Sequence, residues 1–193
     1  MTALILGLVL FLGIHSVRIV ADARRSAFIA QRGANAWKGV YTVISLAGFA
    51  LLVWGYGLAR QQPTVLWAAP PLWTRHLAAL LTLIAFVLVS AAYVPGNGIK
   101  AKLHHPMTLG VKVWAFAHLL ANNTLADLLL FGGFLVWSIA LFAGARRRDR
   151  AAGTTYPPGN ASRTVLTVVV GAVLWAVFAF WAHGWLIGVR PFG

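Results

Sequence analysis

Two histidines, His15 and His118, lie inside long apolar stretches of this 193-residue chain. A polar side chain at membrane depth is costly, so such a residue normally faces the interior of a helix bundle and marks a site. Imidazole is also a natural ligand of haem iron, and helical bundles hold cofactors through side chains on facing helices. The two residues are therefore candidate axial ligands of a haem. The alternative is that each forms a hydrogen bond with the backbone of a neighbouring helix.

The apolar run that contains His118 carries three further candidates for a cofactor site. Trp114 and Asn122 lie four residues before and after His118, which places all three on one face of a helix. An aromatic ring, a ligand and an amide in line suit a macrocycle pocket, but such residues also serve in helix packing. Lys112 is the cation of the same run. It either extends to the lipid headgroups or pairs with an acidic group of a cofactor or substrate.

The other four histidines lie near the ends of apolar stretches, where an interfacial position explains them without a ligand role. His104 and His105 precede a proline, whose ring keeps the preceding residue out of the helical region. His105 is therefore a candidate cap of the next helix. His76 follows an arginine, and His183 lies between two tryptophans, as in an interfacial aromatic belt. His183 is the second-choice ligand.

The composition indicates an all-α integral membrane protein. The chain is 60% hydrophobic and only 10% charged, with a mean hydropathy of +0.79, whereas soluble domains are about a quarter charged. Several apolar runs approach the roughly 20 residues that a helix needs to cross a bilayer. They are continuous rather than alternating, which excludes a β-barrel. The sequence has no cysteine, so disulfides, thiolate ligands and iron–sulfur clusters are excluded as well.

We predict a bundle of six transmembrane helices in a single domain over residues 1–193. The predicted helices are Ala3–Val20, Val40–Leu58, His76–Val94, Pro106–Ala121, Thr124–Ala145 and Val165–Ile187. Pro106 suits the first position of a helix, where its missing N–H costs nothing. Thr124 and Asp127 have the spacing of a capping box. The first helix is expected to extend along the interface through Arg25.

The net charge of +13 is concentrated in the loops between the apolar runs, so the folded basic face that nucleic acid requires is excluded. The first, third and fifth loops hold four, two and five Lys or Arg residues, whereas the second and fourth hold two and none. By the positive-inside rule the first group is cytoplasmic, where it attracts anionic headgroups. Both termini are then periplasmic in a bacterial inner membrane, and the N-terminal run is expected to be a first helix rather than a cleaved signal peptide.

The segment around His118 resembles the NnrU family of bacterial membrane proteins. The residues that carry this likeness are His105-Pro106-Met107, Gly110-Val111-Lys112, Trp114-Ala115, Ala117-His118-Leu119-Leu120-Ala121-Asn122 and Leu128-Leu129-Leu130-Phe131-Gly132. The runs Gly13-Ile14-His15-Ser16 and Ala92-Tyr93-Val94 are also similar to that family. The resemblance implies a link to nitrite and nitric oxide metabolism in denitrifying bacteria.

The same family is similar to plant zeta-carotene isomerase, a haem b membrane enzyme that isomerises a cis double bond. One axial histidine of that enzyme comes from a His-Ser pair in an early helix, and the other from a segment that follows a His-Pro pair. These positions match His15 and His118, so the resemblance implies haem b as the cofactor. The isomerase has a cysteine, an alternative ligand in a redox switch, where this chain has Ala115. Redox control here would instead use loss of a histidine, or a ligand such as His183.

Three functions are consistent with the sequence. The first is a haem b protein, and as an enzyme a haem-dependent isomerase, that frees a coordination position on reduction for an apolar polyene or for nitric oxide. The second is a non-catalytic membrane partner that helps to assemble a denitrification enzyme, with His118 and Asn122 as interhelical hydrogen-bonding residues. The third, a small transporter, is disfavoured because Gly or Pro interrupts no predicted helix at mid-depth.

Overall fold

The computed structural model describes residues 1–192, and this part of the chain is almost entirely helical. The helices are α1 (Thr2–Val20), α2 (Asp22–Arg32), α3 (Ala34–Ala59), α4 (Leu72–Tyr93), α5 (Gly98–Leu103), α6 (Pro106–Ala121), α7 (Leu125–Ala152), α8 (Ala161–Val177) and α9 (His183–Ile187). A π-helical turn, Phe178–Ala182, joins α8 to α9. Within residues 1–192 there is no β-strand, only two isolated β-bridges.

Five helical stretches are long and apolar enough to cross a membrane, which supports a multi-pass membrane protein. These stretches are α1, α3, α4, α7 and the continuous Ala161–Ile187, and α6 is a sixth, shorter apolar helix. Their outer surfaces are hydrophobic: the side chains of Val9, Val136 and Trp181 are 64%, 70% and 68% exposed. The predicted all-α membrane class is confirmed.

The helix ends follow local signals in the sequence. Pro106 is the first residue of α6, as predicted. The predicted capping box at the start of α7 is also present: the Thr124 amide donates to Oδ2 of Asp127 at 3.1 Å, and the Asp127 amide donates to Oγ1 of Thr124 at 3.2 Å. At its other end, α7 continues beyond Ala145 to Ala152, because arginine is a good helix former and a cation near a helix C-terminus is favourable.

The predicted interfacial extension of the first helix is a separate helix. The backbone breaks at Ala21, with φ −146° and ψ 37°, and α2 then begins at Asp22. Asp22 lies in the first turn of α2 and Arg32 in its last turn, and both charges complement the helix dipole. A second helix of polar character therefore leaves the end of α1 in a new direction.

The contacts divide the chain into two compact units, and the first comprises residues 1–68 and 123–141. Its centre is the close packing of α1 on α3, where glycines on one helix lie against the backbone of the other. A Cβ atom on Gly48 would lie only 2.7 Å from the backbone N of Phe11, and a Cβ on Gly7 would lie 2.7 Å from Cα of Leu52. Small residues that let backbones approach are the usual means of packing membrane helices.

The second unit comprises residues 69–122 and 142–192. Here α4 packs against both α6 and α8, again through glycines: a Cβ on Gly110 would lie 2.9 Å from the carbonyl O of Ala85, and one on Gly171 would lie 2.6 Å from Cα of Val87. The buried Asn97 closes the turn after α4, since its Nδ2 donates to the Ala91 carbonyl at 2.9 Å. These contacts fix α6, the helix that carries His118.

Candidate functional site

His15 lies on α1 with a defined tautomer. Its Nδ1 is 2.6 Å from the carbonyl O of Phe11, one turn earlier. Since a carbonyl can only accept, Nδ1 carries the hydrogen, and Nε2 of the neutral ring then carries the lone pair. The rings of Phe11, Tyr41 and Trp137 lie around the imidazole, with centroid distances of 4.2, 5.0 and 6.1 Å. The histidine is therefore held by aromatic rings from three helices of its unit.

A cavity of about 360 Å³ lies beside His15, between the end of α1, α2 and the start of α3. Its size is within the range of small-molecule and cofactor sites. Apolar and aromatic side chains form part of the wall, including Ile14 and Trp37. Three basic residues, Arg18, Arg25 and Lys38, also line it. The cavity thus combines an imidazole, an apolar wall and positive charge.

His118, on α6, has the same tautomer as His15. Its Nδ1 is 2.8 Å from the carbonyl O of Trp114, again one turn earlier, so Nε2 carries the lone pair in the neutral ring. The rings of Trp114 and His118 lie 5.1 Å apart, and Nδ2 of Asn122 donates to the His118 carbonyl at 2.7 Å. The three residues predicted to share a helix face are therefore in contact along α6.

Lys112 lies six residues before His118 on α6, and its ammonium interacts with an aromatic ring. The Nζ atom is 4.8 Å from the ring centroid of Phe142, within the range of a cation–π interaction. The two predicted roles, extension to the headgroups or pairing with an acidic group, both remain predictions. Phe142 belongs to the same compact unit as Lys112.

A second polar cluster in the unit of α6 contains His104 and His105. Nε2 of His105 is 2.7 Å from Oδ2 of Asp149, and the Tyr156 hydroxyl donates to the same oxygen at 2.9 Å. The ring of His104 stacks on Tyr156 with centroids 4.0 Å apart, and Arg146 donates to Nδ1 of His104. Burial, and then the hydrogen bond to Asp149, raise the pKa of Tyr156.

This polar cluster was not predicted, because the sequence analysis assigned His104 and His105 only to an interfacial position. His105 does precede α6, as expected of a cap, but its side chain makes no capping bond and reaches Asp149 instead. His104 has a positive φ of 67°, and the His105 amide donates to the Leu103 carbonyl at 2.8 Å. This is a strained γ-turn, which is rare for a residue with a side chain. Two adjacent histidines before a proline were its only sequence signal.

The remaining histidines lie apart from these groups. Nδ1 of His183 is 2.6 Å from the Val189 carbonyl in an exposed position, and His76 is in the first turns of α4. Over residues 1–192, no group of three or more His, Cys, Asp or Glu side chains is arranged to hold a metal ion. That result does not bear on a haem, whose porphyrin supplies most of the iron ligands.

Comparison with known proteins agrees with the resemblance around His118. A family model described as NnrU protein matches residues 3–191, which is nearly the whole chain and includes every candidate residue. No curated protein and no solved structure matches the chain. Because the family model covers far more than half of the sequence, the chain belongs to the NnrU family.

Proposed function

We propose that this NnrU protein binds haem b and that His15 and His118 are the axial ligands. The observation that carries the proposal is the hydrogen bond that each imidazole makes through Nδ1 to a carbonyl of its own helix. Metal-ligating histidines usually donate their second ring N–H in this way, which fixes the tautomer and raises the basicity of the ligating nitrogen. In both residues Nε2 would then be the ring nitrogen that binds iron.

The surroundings of both residues suit a porphyrin. His15 lies among three aromatic rings and beside a cavity with an apolar wall. On α6, Trp114 contacts the imidazole of His118, while Asn122 secures the carbonyl at the last turn of the helix. These contacts restrict the rotation of both imidazoles, so each ligand is oriented before a cofactor arrives. Orientation of the ligand by its neighbours is what a tuned metal site requires.

When bound, the haem would supply redox-dependent binding of a small ligand or of a double bond. The chain contributes the axial nitrogens, an apolar surrounding and the orientation of both. Two reactions remain in the proposal: cis–trans isomerisation of an apolar polyene, which rests on the resemblance to zeta-carotene isomerase, and nitric oxide or nitrite chemistry, which rests on the family. The bacterial inner membrane and periplasmic termini are likewise proposals, supported by the charge distribution.

The alternative function is that of a helper, a non-catalytic membrane partner that helps to assemble a denitrification enzyme, and it gives the same residues a different role. It assigns His118 and Asn122 to hydrogen bonds between helices, whereas the bonds from His118 Nδ1 and Asn122 Nδ2 both end on carbonyls of α6 itself. These two donors are engaged along their own helix. These two bonds support the haem proposal, and the helper function would require a contact of His118 with another helix in addition to them.

The test is the visible spectrum of the protein purified in an uncharged detergent, before and after reduction, from cells supplied with a haem precursor. We expect a Soret band, reduced or shifted in His15→Ala and in His118→Ala but not in the control His76→Ala. Added imidazole should restore part of the wild-type spectrum in both ligand variants. The proposal is wrong if no Soret band forms with haem supplied, or if neither variant alters the band. Normal folding and function in a host without haem synthesis would favour the helper role.

A further inference from the structure

The cavity beside His15 has a feature that iron ligation alone does not explain. Three basic residues line it, each from a different helix: Arg18 from α1, Arg25 from α2 and Lys38 from α3. Helix α2 begins only because the backbone breaks at Ala21. The break therefore brings a cation to the cavity that a continuous α1 would have carried elsewhere.

The position of Arg25 is fixed by its neighbours. Its guanidinium lies over the ring of Trp37, 5.7 Å from the centroid, and Trp37 in turn contacts Phe28 with ring centroids 5.9 Å apart. A guanidinium stacked on an aromatic face still presents its N–H donors at the edge. Arg25 is thus oriented for a planar, acidic group while its flat face is occupied.

The charge around the cavity is only partly compensated. Asp22 is the carboxylate nearest to these cations, with Oδ1 3.8 Å from Nε of Arg18 and 3.7 Å from NH1 of Arg25. Oδ1 of Asp22 is itself buried, and both distances are too long for a hydrogen bond, so neither cation is hydrogen-bonded to it. Three cations against one carboxylate leave two positive charges at the cavity. Two additional anionic groups would bring the cavity to neutrality.

We propose that Arg25 and Lys38 bind the two propionate groups of the haem whose iron His15 ligates. This inference rests on the proposed function. A porphyrin with two carboxylates matches what the cavity offers together: an imidazole, an apolar wall and a net charge of two. Arginine in particular forms short charge-assisted bonds with carboxylates, often in pairs. A phospholipid headgroup would use the cations but not the imidazole, and is the competing occupant.

The first measurement is haem affinity, from titration of the Soret band in an uncharged detergent without added lipid. We compare the wild type with Arg25→Gln, Lys38→Gln and the double variant. Arg24→Gln is the matched control, because Arg24 lies on the same helix, is exposed and does not line the cavity. Each single variant should bind haem about threefold to tenfold more weakly, as partly exposed charge pairs do, and the control should bind as the wild type does.

The second measurement separates propionate binding from a general effect on the site. The dimethyl ester of iron protoporphyrin has no negative propionates but keeps its iron. We expect the wild type to bind the ester more weakly than haem. The double variant should bind the two about equally, since the groups that recognise the charge are gone. An ester penalty of the same size in both proteins would overturn the inference.

The outcomes distinguish this inference from the proposed function. If neither haem nor its ester gives a Soret shift, haem binding itself fails and the inference fails with it. If haem binds through the histidines but the variants and the wild type show equal affinities, only the propionate assignment is wrong. If haem affinity is unchanged while the double variant retains less anionic lipid than the wild type, the cations serve a headgroup, and the propionate assignment is again wrong.

Discussion

Replacing Gly48 by alanine tests the contact that positions His15. Gly48 is buried on α3, and a Cβ atom there would lie 2.7 Å from the backbone N of Phe11, 3.0 Å from its Cα and 3.1 Å from Cβ of Leu10. The carbonyl of the same Phe11 accepts the hydrogen bond from His15. A methyl group at position 48 therefore acts on the turn of α1 that holds the imidazole.

The size of the expected destabilisation depends on which atoms lie close to the new Cβ. Two of the three are backbone atoms, so no side chain can rotate away, and α1 must move until contacts of 2.7 Å reach about 3.4 Å. Overpacking of this kind costs about 1–3 kcal/mol. Alanine also gains up to about 1 kcal/mol in helix propensity over glycine. The matched control is Gly57→Ala on the same helix, where nothing lies within 4 Å of the new Cβ, so the propensity gain is shared.

The assay is unfolding of the purified protein by a denaturing detergent, followed by helical circular dichroism. We expect Gly48→Ala to be less stable than Gly57→Ala by about 1–3 kcal/mol, which is the packing cost after the propensity gain has cancelled. If the two variants unfold together, α1 and α3 are not in close backbone contact at this point. In that case the structural basis for the placement of His15 is also wrong.

Three further predictions concern polar groups away from the cavity. Asn97→Ala leaves the acceptors and the amide that Asn97 satisfies without a partner, so detergent-induced unfolding should show a loss of about 1–3 kcal/mol; an unchanged midpoint would contradict the buried turn. Asp127→Ala removes both the oxygen that accepts from Thr124 and the oxygen that accepts from Tyr56 and should cost about 1–3 kcal/mol in the same assay, whereas equal stability would mean that neither set of bonds contributes. The pKa of Tyr156 is raised by burial and then by Asp149. The contribution of the neutral Tyr156 hydroxyl to folding stability is therefore complete at pH values below the ordinary tyrosine pKa, and it is lost as the pH rises through the raised pKa of Tyr156. An ultraviolet titration of Asp149→Asn should therefore show a tyrosine that ionises at lower pH than in the wild type, and an identical titration would refute that contact.

The parts of the fold that follow from local sequence were predicted well. The predicted bounds of α6 agree with the observed bounds, because a proline marks the start of the helix and polar residues mark its end. The capping box of α7 was recognised because its two side chains are three residues apart and act on one another's backbone. The membrane class was predicted from composition and run length alone, since uncharged apolar runs of about 20 residues are typical of helices that span a bilayer.

The parts that depend on tertiary contacts were not predictable. Nothing near Ala21 is a helix breaker, yet the chain turns there so that α2 can meet α3. The γ-turn at His104 is strained in isolation and is accompanied by stacking on Tyr156 and a bond from Arg146, which lie about 40 to 50 residues later in the chain. A π-helical turn such as Phe178–Ala182 also has no sequence signal in an apolar run. In each case distant residues decide a local conformation.

The candidate site shows the same division between local and distant causes. The sequence analysis identified His15 and His118 as candidates because an imidazole in an apolar run is energetically costly. It did not distinguish an iron ligand from a residue that forms a hydrogen bond with a neighbouring helix. The structure shows that each ring satisfies its Nδ1 hydrogen within its own helix. The local bond fixes the tautomer in which Nε2 would be the metal-binding nitrogen, and in this way it supports the proposed ligand role.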